Sequence, residues 1–146
     1  MLYVITGPPA GGKSSWVEAH ATARDIVIDL DRITRSLTGP GAPAWNHERI
    51  AQRVAQRARY AAIDEALKHL DDTDVYLIHT MPSPQARARY RRLSARIVVV
   101  DPGEDVVRER VRAMRAEAME RVVTRWYREY RQGGSRPVTT QASRDW

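Results

Sequence analysis

The chain has 146 residues and a formal net charge of +6, from 24 basic and 18 acidic residues. This length suits one domain with a proper hydrophobic core. Cysteine is absent, which excludes a disulfide framework, thiolate chemistry and cysteine metal sites. No apolar run approaches membrane-spanning length and no signal peptide is recognisable, so we expect a soluble cytoplasmic protein. The basic excess weakly favours a polyanionic partner such as nucleic acid or a nucleotide, or it reflects only an arginine-rich surface.

The first predicted elements are a strand, a glycine-rich loop and a helix. The strand spans Leu2–Thr6, and the helix runs from Ser14 to about Arg24. The loop between them, GPPAGGKS, fits the P-loop pattern G-x-x-x-x-G-K-[ST]. This arrangement turns backbone N–H groups and a helix N-terminus toward a polyphosphate. We therefore expect a nucleotide to bind at Gly7, Pro8, Pro9, Ala10, Gly11, Gly12, Lys13, Ser14 and Ser15.

Two residues of this loop carry side-chain chemistry. Lys13 is placed to contact the β- and γ-phosphates, and Ser14 is placed to bind Mg²⁺. Lys13 is one of only two lysines in a chain that otherwise uses arginine, which fits a site that needs a compact ammonium group. The implied cofactors are therefore ATP, or another nucleoside triphosphate, and Mg²⁺.

A second strand, Asp25–Asp31, ends in acidic residues. Ligands of open parallel sheets lie beyond the carboxyl ends of the strands, so Asp29 and Asp31 are expected near the P-loop. We select Asp31 as the general base that accepts a hydroxyl proton, with Asp29 as the competing choice. The alternative is that either acid only caps the short helix predicted over Arg32–Leu37. The loop 38–46 that follows is a candidate substrate lid.

A long helix is predicted over His47–Leu70. Its apolar stripe consists of Ile50, Val54, Ala58, Ala61, Ala62, Ala66 and Leu70. The third strand, Val75–Ile78, ends at His79, where many P-loop enzymes have a carboxylate that binds magnesium through water. A neutral imidazole is a poor ligand for Mg²⁺. Either a second-strand acid replaces that carboxylate, or the protein binds nucleotide with little catalysis.

The second half of the chain continues the alternation of helices and strands. Ser83 and Pro84 have the residue types of an N-cap and a first helical position, and this helix carries Arg87. The fourth strand is Ile97–Asp101, and two further helices are predicted over 104–114 and 119–131. We expect a P-loop kinase domain over 1–132 and a flexible tail over 133–146.

A cluster of arginines lies in the predicted lid, residues 108–118. Its members are Arg108, Arg110, Arg112 and Arg115. A mobile basic lid that closes on ATP would supply the positive charge that stabilises the transition state. The alternative, which we favour for any single one of them, is a solvated helix face paired with Glu104, Glu109 and Glu117.

The order of elements predicts the fold class. Alternating strands and helices predict an α/β fold with a small parallel sheet of about four strands and helices on both faces. The P-loop identifies this as the P-loop NTPase or kinase fold.

At this point the chain resembles a family, the kinase domain of phage-type polynucleotide 5′-hydroxyl kinases within the P-loop kinases. The resemblance extends to about Arg131. It rests on an ordered set of segments: GPPAGGKSSW (7–16), IDLDRITRSL (28–37), IHTMPSPQARARY (78–90), VVVDPGEDVVRERVRAMR (98–115) and VVTRWYREY (122–130).

The resemblance implies roles for particular residues. Lys13 and Ser14 would bind phosphate and metal, and Asp31 would be the general base for the 5′-hydroxyl. An arginine just after that acid would grip an acceptor-side phosphate; Thr34 stands at its position, and we choose Arg35 over the flanking Arg32. The resemblance further implies a substrate-side threonine, which would be Thr80. It also implies a lid arginine that contacts the nucleotide and the migrating phosphoryl group, which would be Arg112 or Arg115. Arg87 is placed to contact backbone phosphates.

The leading hypothesis is an ATP-dependent kinase that phosphorylates the 5′-hydroxyl of DNA or RNA, with single-stranded or end-exposed nucleic acid as its partner. The second is a kinase of the same fold that acts on a small-molecule hydroxyl of a nucleoside, nucleotide or antibiotic. The third is a non-catalytic nucleotide-binding module, which His79 would favour. Assembly into oligomers is compatible with all three.

Overall fold

The computed structural model of the protein describes residues 1–114 and 116–132, together with the backbone of 140–141. Its centre is a parallel sheet of five strands in the order β2-β3-β1-β4-β5. The strands are β1 Leu2–Thr6, β2 Ile26–Ile28, β3 Val75–Ile78, β4 Arg96–Val100 and β5 Thr140–Gln141. The helices are α1 Lys13–His20, α2 Leu30–Ser36, α3 Arg49–Ala66, α4 Pro84–Arg92, α5 Glu104–Ala113 and α6 Glu117–Gln132, and a 3₁₀ turn, Leu67–His69, follows α3.

The four predicted strands are all present, and the predicted α/β class with a parallel sheet is confirmed. The fifth strand has two residues and pairs with β4 through Val99 and Val100. It lies within the segment predicted to be a flexible tail; the rest of that tail, 133–139 and 142–146, lies outside the described residues. Within the described part of the chain, no helix is both long and apolar enough to cross a membrane.

Helices cover both faces of the sheet because side chains of each strand alternate between two apolar clusters. On one face Leu2, Val4 and Leu77 pack with Ile63 of α3 and Tyr90 of α4. On the other face lie Ile5, Tyr76, Ile78 and Val98, covered by Trp16 and Val17 of α1. A third cluster attaches α5 and α6 beside β4; it contains Val99, Val107, Val111, Ala116, Val123, Trp126 and Tyr127.

Two hydrogen bonds place α6 over the carboxyl edge of the sheet. The Trp126 indole donates to the Thr80 carbonyl at 3.1 Å, just after β3. The Tyr127 hydroxyl donates to Asp101 at 2.6 Å, just after β4. The last helix therefore borders the edge at which the P-loop lies.

The start of α2 differs from the prediction. The helix begins at Leu30 because Asp29 is its N-cap and accepts a hydrogen bond from the backbone N–H of Asp31 at 3.0 Å. Strand β2 consequently ends at Ile28, and Asp31 lies in the first turn of the helix rather than at a strand end. The capping alternative is thus correct for Asp29. Similarly, α1 ends at His20, earlier than the expected position near Arg24.

The buried face of α3 was predicted wrongly except at its C-terminal end, where Ala66 is buried as expected. Ile50 and Val54 are 78% and 52% exposed, whereas the buried residues are Ala55, Arg59, Ile63 and Ala66. Their spacing follows the helical repeat, but a charged residue stands in the middle of the face, so a search for apolar side chains selects a neighbouring face instead. The helix also begins at Arg49 rather than at His47.

Gly7 decides how closely the P-loop approaches the sheet. Its φ of +146° is disfavoured for residues with a side chain, and an added Cβ would lie 2.1 Å from the carbonyl oxygen of Val100. The loop therefore rests directly on the end of β4, in the middle of the carboxyl edge.

We expect Gly7→Ala to lower the free energy of unfolding by about 3 kcal/mol or more, because backbone strain and overpacking add at this position. Gly39→Ala is the matched control, since nothing lies within 4 Å of a Cβ added there; its effect should stay within about 0.5 kcal/mol. Chemical denaturation of both variants measures the difference. Equal stability of the two would show that the contact with Val100 does not constrain the loop.

Candidate active site

A cleft of about 450 Å³ lies at the carboxyl edge of the sheet. One wall is the P-loop, and the opposite wall is formed by the residues after β2 and β3 and by the inner face of α3. The parallel strands bring these segments together because their carboxyl ends meet at one edge. Of the residues predicted from the sequence, those that line the cleft are Pro9, Ala10, Gly11, Gly12, Lys13, Ser14, Ser15, Asp29, Asp31 and Thr80.

Lys13 is folded back over the P-loop. Its ammonium group donates hydrogen bonds to the carbonyls of Gly7 at 3.1 Å and Pro8 at 2.7 Å. Burial lowers the pKa of Lys13 to about 8, against the opposing pull of Asp29 and Asp31. A phosphate in the loop would give this ammonium a stronger partner than two neutral carbonyls, so the side chain is poised to turn toward an anion.

The first turn of α1 is suited to an anion as well. The helix begins at Lys13 with Gly12 as its N-cap, and neither a side-chain cap nor an acidic first-turn residue occupies its positive end. Free N–H groups and the helix dipole therefore face the cleft without a competing negative charge in that turn.

Asp29 stands beside Ser14. The Ser14 hydroxyl donates to the Asp29 carboxylate at 3.1 Å, and that carboxylate is almost completely buried. The pair offers the hard oxygen ligands that Mg²⁺ prefers, so the residues present fit a magnesium ion. No group of three or more His, Cys, Asp and Glu side chains able to hold a metal occurs in the described chain. This also suits Mg²⁺, which retains waters and phosphate oxygens as ligands.

Asp31 is paired with His47, a residue that the sequence analysis assigned only to the start of a helix. His47 Nε2 lies 2.9 Å from Asp31 Oδ1; the imidazole is 3% exposed and the carboxylate 57%. Partial burial is the main cause that raises the pKa of Asp31, and Asp29 adds to it, whereas the hydrogen bond with His47 acts in the opposite direction. Asp31 therefore has an accessible carboxylate that His47 holds in place and that has an increased proton affinity.

His79 is held as a neutral side chain. Its Nδ1 lies 2.7 Å from the Tyr90 hydroxyl, and burial, followed by the charges of Arg59 and Arg87, lowers its pKa to about 4. It lines the cleft together with Thr80. The carboxylate that the P-loop serine contacts belongs to Asp29, the N-cap of α2, rather than to a residue after β3.

Several predicted arginines lie outside the cleft. Arg32 and Arg35 are exposed on α2, with Arg35 one turn after Asp31. Arg87 donates to the Pro82 carbonyl at 3.0 Å and thereby stabilises the start of α4. None of the three is among the residues that line the cleft.

The arginines of the predicted lid differ in what they contact. Arg108 pairs with Glu104 at 2.8 Å and with Glu120 at 3.6 Å, so the solvated-face alternative is correct for it. Arg112 is exposed on α5, and Arg115 lies outside the described residues. Among the described members of the cluster, Arg110 contacts the P-loop and donates to the Ala10 carbonyl at 3.0 Å. The sequence singled out the cluster but offered no signal for this member.

The pKa of Lys13 can be measured directly because the chain has only two lysines. In ¹³C-lysine-labelled protein we expect one side-chain resonance to titrate near pH 8. The other, from exposed Lys68, should titrate above the ordinary lysine range, because its hydrogen bond with Glu65 raises its pKa. The variant Lys68→Arg should remove only the second resonance. Two resonances that both titrate above pH 10 would contradict the buried position of Lys13.

Comparison with known proteins places this site in a family. The profile of a family described as an AAA domain matches residues 2–133, nearly all of the chain that contains the cleft. A dephospho-CoA kinase from Chromobacterium violaceum is 31% identical over 136 residues, which cover 73% of this chain and 67% of the relative. Both matches agree with a P-loop at the carboxyl edge of a parallel sheet. The chain therefore belongs to this AAA-domain family, within the superfamily of P-loop kinases.

Proposed function

We propose that this protein is a kinase that transfers the γ-phosphate of ATP to a hydroxyl group of a small molecule. The observation that carries the proposal is the meeting of Lys13 and Ser14 with Asp29 and Asp31 in one cleft. Phosphoryl transfer requires a phosphate cradle, a metal site and a group that accepts the hydroxyl proton, and these four residues supply all three. The similarity to an enzyme named dephospho-CoA kinase supports a small acceptor.

The roles follow from the geometry. The P-loop N–H groups and the Lys13 ammonium hold the β- and γ-phosphates, and Arg110 is close enough to the loop to add positive charge there. Ser14 and Asp29 would hold Mg²⁺, which when bound neutralises phosphate charge. Asp31 accepts the proton of the attacking hydroxyl, and His47 keeps its carboxylate oriented.

Two observations argue for this proposal over a non-catalytic module. Asp29 supplies the carboxylate that His79 cannot, so the histidine at the end of β3 is no obstacle to metal binding. Asp31 is exposed and its pKa is raised, and both properties suit a proton acceptor. A carboxylate that served only capping or packing would need neither property.

The size of the cleft limits the acceptor. About 450 Å³ must hold the terminal phosphates of the donor as well as the hydroxyl-bearing group. Sites for single drug-sized ligands have volumes of about 300–1,000 Å³. The space therefore suits a small molecule or one terminal unit of a longer one.

A polynucleotide 5′-hydroxyl kinase is the second candidate. It is favoured by the net charge of +6 and by the resemblance of the P-loop, Asp31 and Thr80 segments to that family. One terminal nucleoside would enter the cleft, and the following phosphates would lie over exposed arginines such as Arg35 and Arg87.

A transfer assay separates the candidates. ATP labelled at the γ-phosphate would be offered with Mg²⁺ and, in parallel, a panel of small hydroxyl compounds and a 5′-hydroxyl oligonucleotide. We expect label on a small compound, and a 10²- to 10⁴-fold lower kcat for Asp31→Asn with nearly unchanged ATP affinity. Asp72→Asn, in an exposed turn, is the control and should match the wild type. Label on the oligonucleotide alone would establish the second candidate, and no label on any acceptor would reject both.

The pH dependence of ATP binding tests the role of Lys13. The free ammonium has a pKa of about 8, and contact with phosphate must raise that value, so binding takes up a proton above pH 8. We expect the Kd to increase by up to about tenfold per pH unit above pH 8, at fixed Mg²⁺. In Lys13→Arg, whose guanidinium stays charged, the inflection near pH 8 should disappear even if affinity is lower. A wild-type Kd that is constant from pH 7.5 to 9.5 would contradict this role.

A further inference from the structure

Arg59 is a buried cation in the wall of the cleft that the sequence analysis did not select as a site residue. It projects from the inner face of α3 and is 6% exposed. One guanidinium nitrogen, Nη2, donates to the carbonyl of Ile78 at 3.0 Å, at the end of β3. Its Nε is buried and has no hydrogen-bond partner.

The charge of Arg59 is not matched by a neighbouring carboxylate. The ion pairs found among the described residues include none with this guanidinium. Burial is the largest influence on its pKa and lowers it, and Tyr90, Tyr60 and Asp29 counteract this only in part. Buried charges are normally paired and hydrogen-bonded, because removing an ion from water is costly. Arg59 has no ion-pair partner among the described residues, and its buried Nε has no hydrogen-bond acceptor, so it is a candidate for a ligand contact.

The surroundings of Arg59 define what that ligand would be. Gln56, one turn earlier on α3, and Thr80, after β3, line the same cleft and carry neutral hydrogen-bond donors. His79, beside them, is neutral because of its low pKa. Among the residues of α3 and those around the end of β3 that line the cleft, Arg59 is the one charged side chain, and it faces the P-loop across the cleft; Asp29 and Asp31, after β2, line the same cleft.

We propose that Arg59, with Gln56 and Thr80, forms a subsite for a phosphate group carried by the acceptor. The proposal rests on the kinase function proposed above and specifies its substrate class: a hydroxyl compound that already bears a phosphate. An arginine fork binds phosphate oxygens in pairs, and two further donors match the additional oxygens of a tetrahedral group. Lys13 serves the donor phosphates at the other wall, so each end of the cleft has its own cation.

The phosphate group has two possible sources, a monoester on a small metabolite or the first diester of a nucleic acid. The chemistry of the subsite is the same for both. Transfer to adenosine, adenosine 3′-monophosphate and a 5′-hydroxyl dinucleotide compares them directly. Arg59-dependent preference for the monoester identifies a small phosphorylated acceptor, and Arg59-dependent preference for the dinucleotide identifies a nucleic acid end.

A binding experiment tests the subsite without catalysis. The P-loop is first saturated with Mg²⁺ and a non-hydrolysable ATP analogue, and inorganic phosphate is then titrated calorimetrically. We expect saturable phosphate binding that weakens at least tenfold in Arg59→Met and less in Arg59→Lys, which keeps the charge but not the fork. Arg57→Gln, an exposed arginine of the same helix, is the matched control and should bind phosphate as the wild type does. Phosphate binding that is equal in Arg59→Met, or absent in the wild type, overturns the proposal.

Thermal unfolding distinguishes a ligand role from a structural one. If Arg59 serves a ligand, Arg59→Met should unfold at the same or a higher Tm, because an unpaired buried charge is replaced by an apolar chain. A lower Tm with unchanged phosphate binding assigns Arg59 to the fold alone. If Arg59→Met does not fold, Arg59→Lys carries the test, since unchanged phosphate affinity in that variant overturns the proposal. Weaker binding of the ATP analogue to either variant would assign the guanidinium to the donor and also overturn it.

The two proposals fail separately. Transfer that does not depend on Arg59 removes the subsite and leaves the kinase. Arg59-dependent phosphate binding with no transfer to any acceptor removes the kinase and leaves the subsite.

Discussion

The contact between the P-loop backbone and the end of β4 is the constraint on which the site depends. At Gly7 and Gly11 the chain lies so close to Val100 that an added Cβ would be 2.1 Å and 3.0 Å from its carbonyl oxygen. The loop is therefore seated over the middle of the sheet, where β1 is flanked by β3 and β4. From this position α1 begins with its N-terminus toward the cleft, and Lys13 donates to the loop carbonyls of Gly7 and Pro8 beside the cleft.

The cleft is a small volume in which two cations and two carboxylates influence one another. Lys13 and Arg59 lie on opposite walls, and both have pKa values lowered by burial. Asp29 and Asp31 lie at one edge, where Asp29 raises the pKa of its neighbour. Neither cation has an ion-pair partner among the described residues; both donate to neutral carbonyls, which leaves their charge available to an anionic substrate. The neutral state of His79 fits this arrangement, because a second positive charge beside Arg59 would be repelled.

Asp29 and Asp31 show how two adjacent acids acquire different tasks. Asp29 is buried, caps α2 and accepts from Ser14, so both of its oxygens are engaged with the protein. Asp31 begins the same helix but extends into the cleft, with one oxygen held by His47. Helix α2 begins between the two residues. Because they are two positions apart at its N-terminus, their side chains point in different directions. The proposed assignment of Asp31 as the base and Asp29 as the metal ligand rests on this difference.

Features that depend on neighbours in the chain were predictable from the sequence. The strand, loop and helix around Lys13, the N-cap at Ser83 and the extent of β3 all follow from short-range rules of backbone geometry and capping, and the structure agrees with them. The order of elements also sufficed for the parallel sheet. By contrast, His47, Arg59 and Arg110 reach the site from loops and helices that are 16 to 100 residues away from their partners. Their side chains look like ordinary surface residues in the sequence, and only the packing of α3 and α5 against the sheet decides which arginine or histidine is buried beside the cleft and which is left in water.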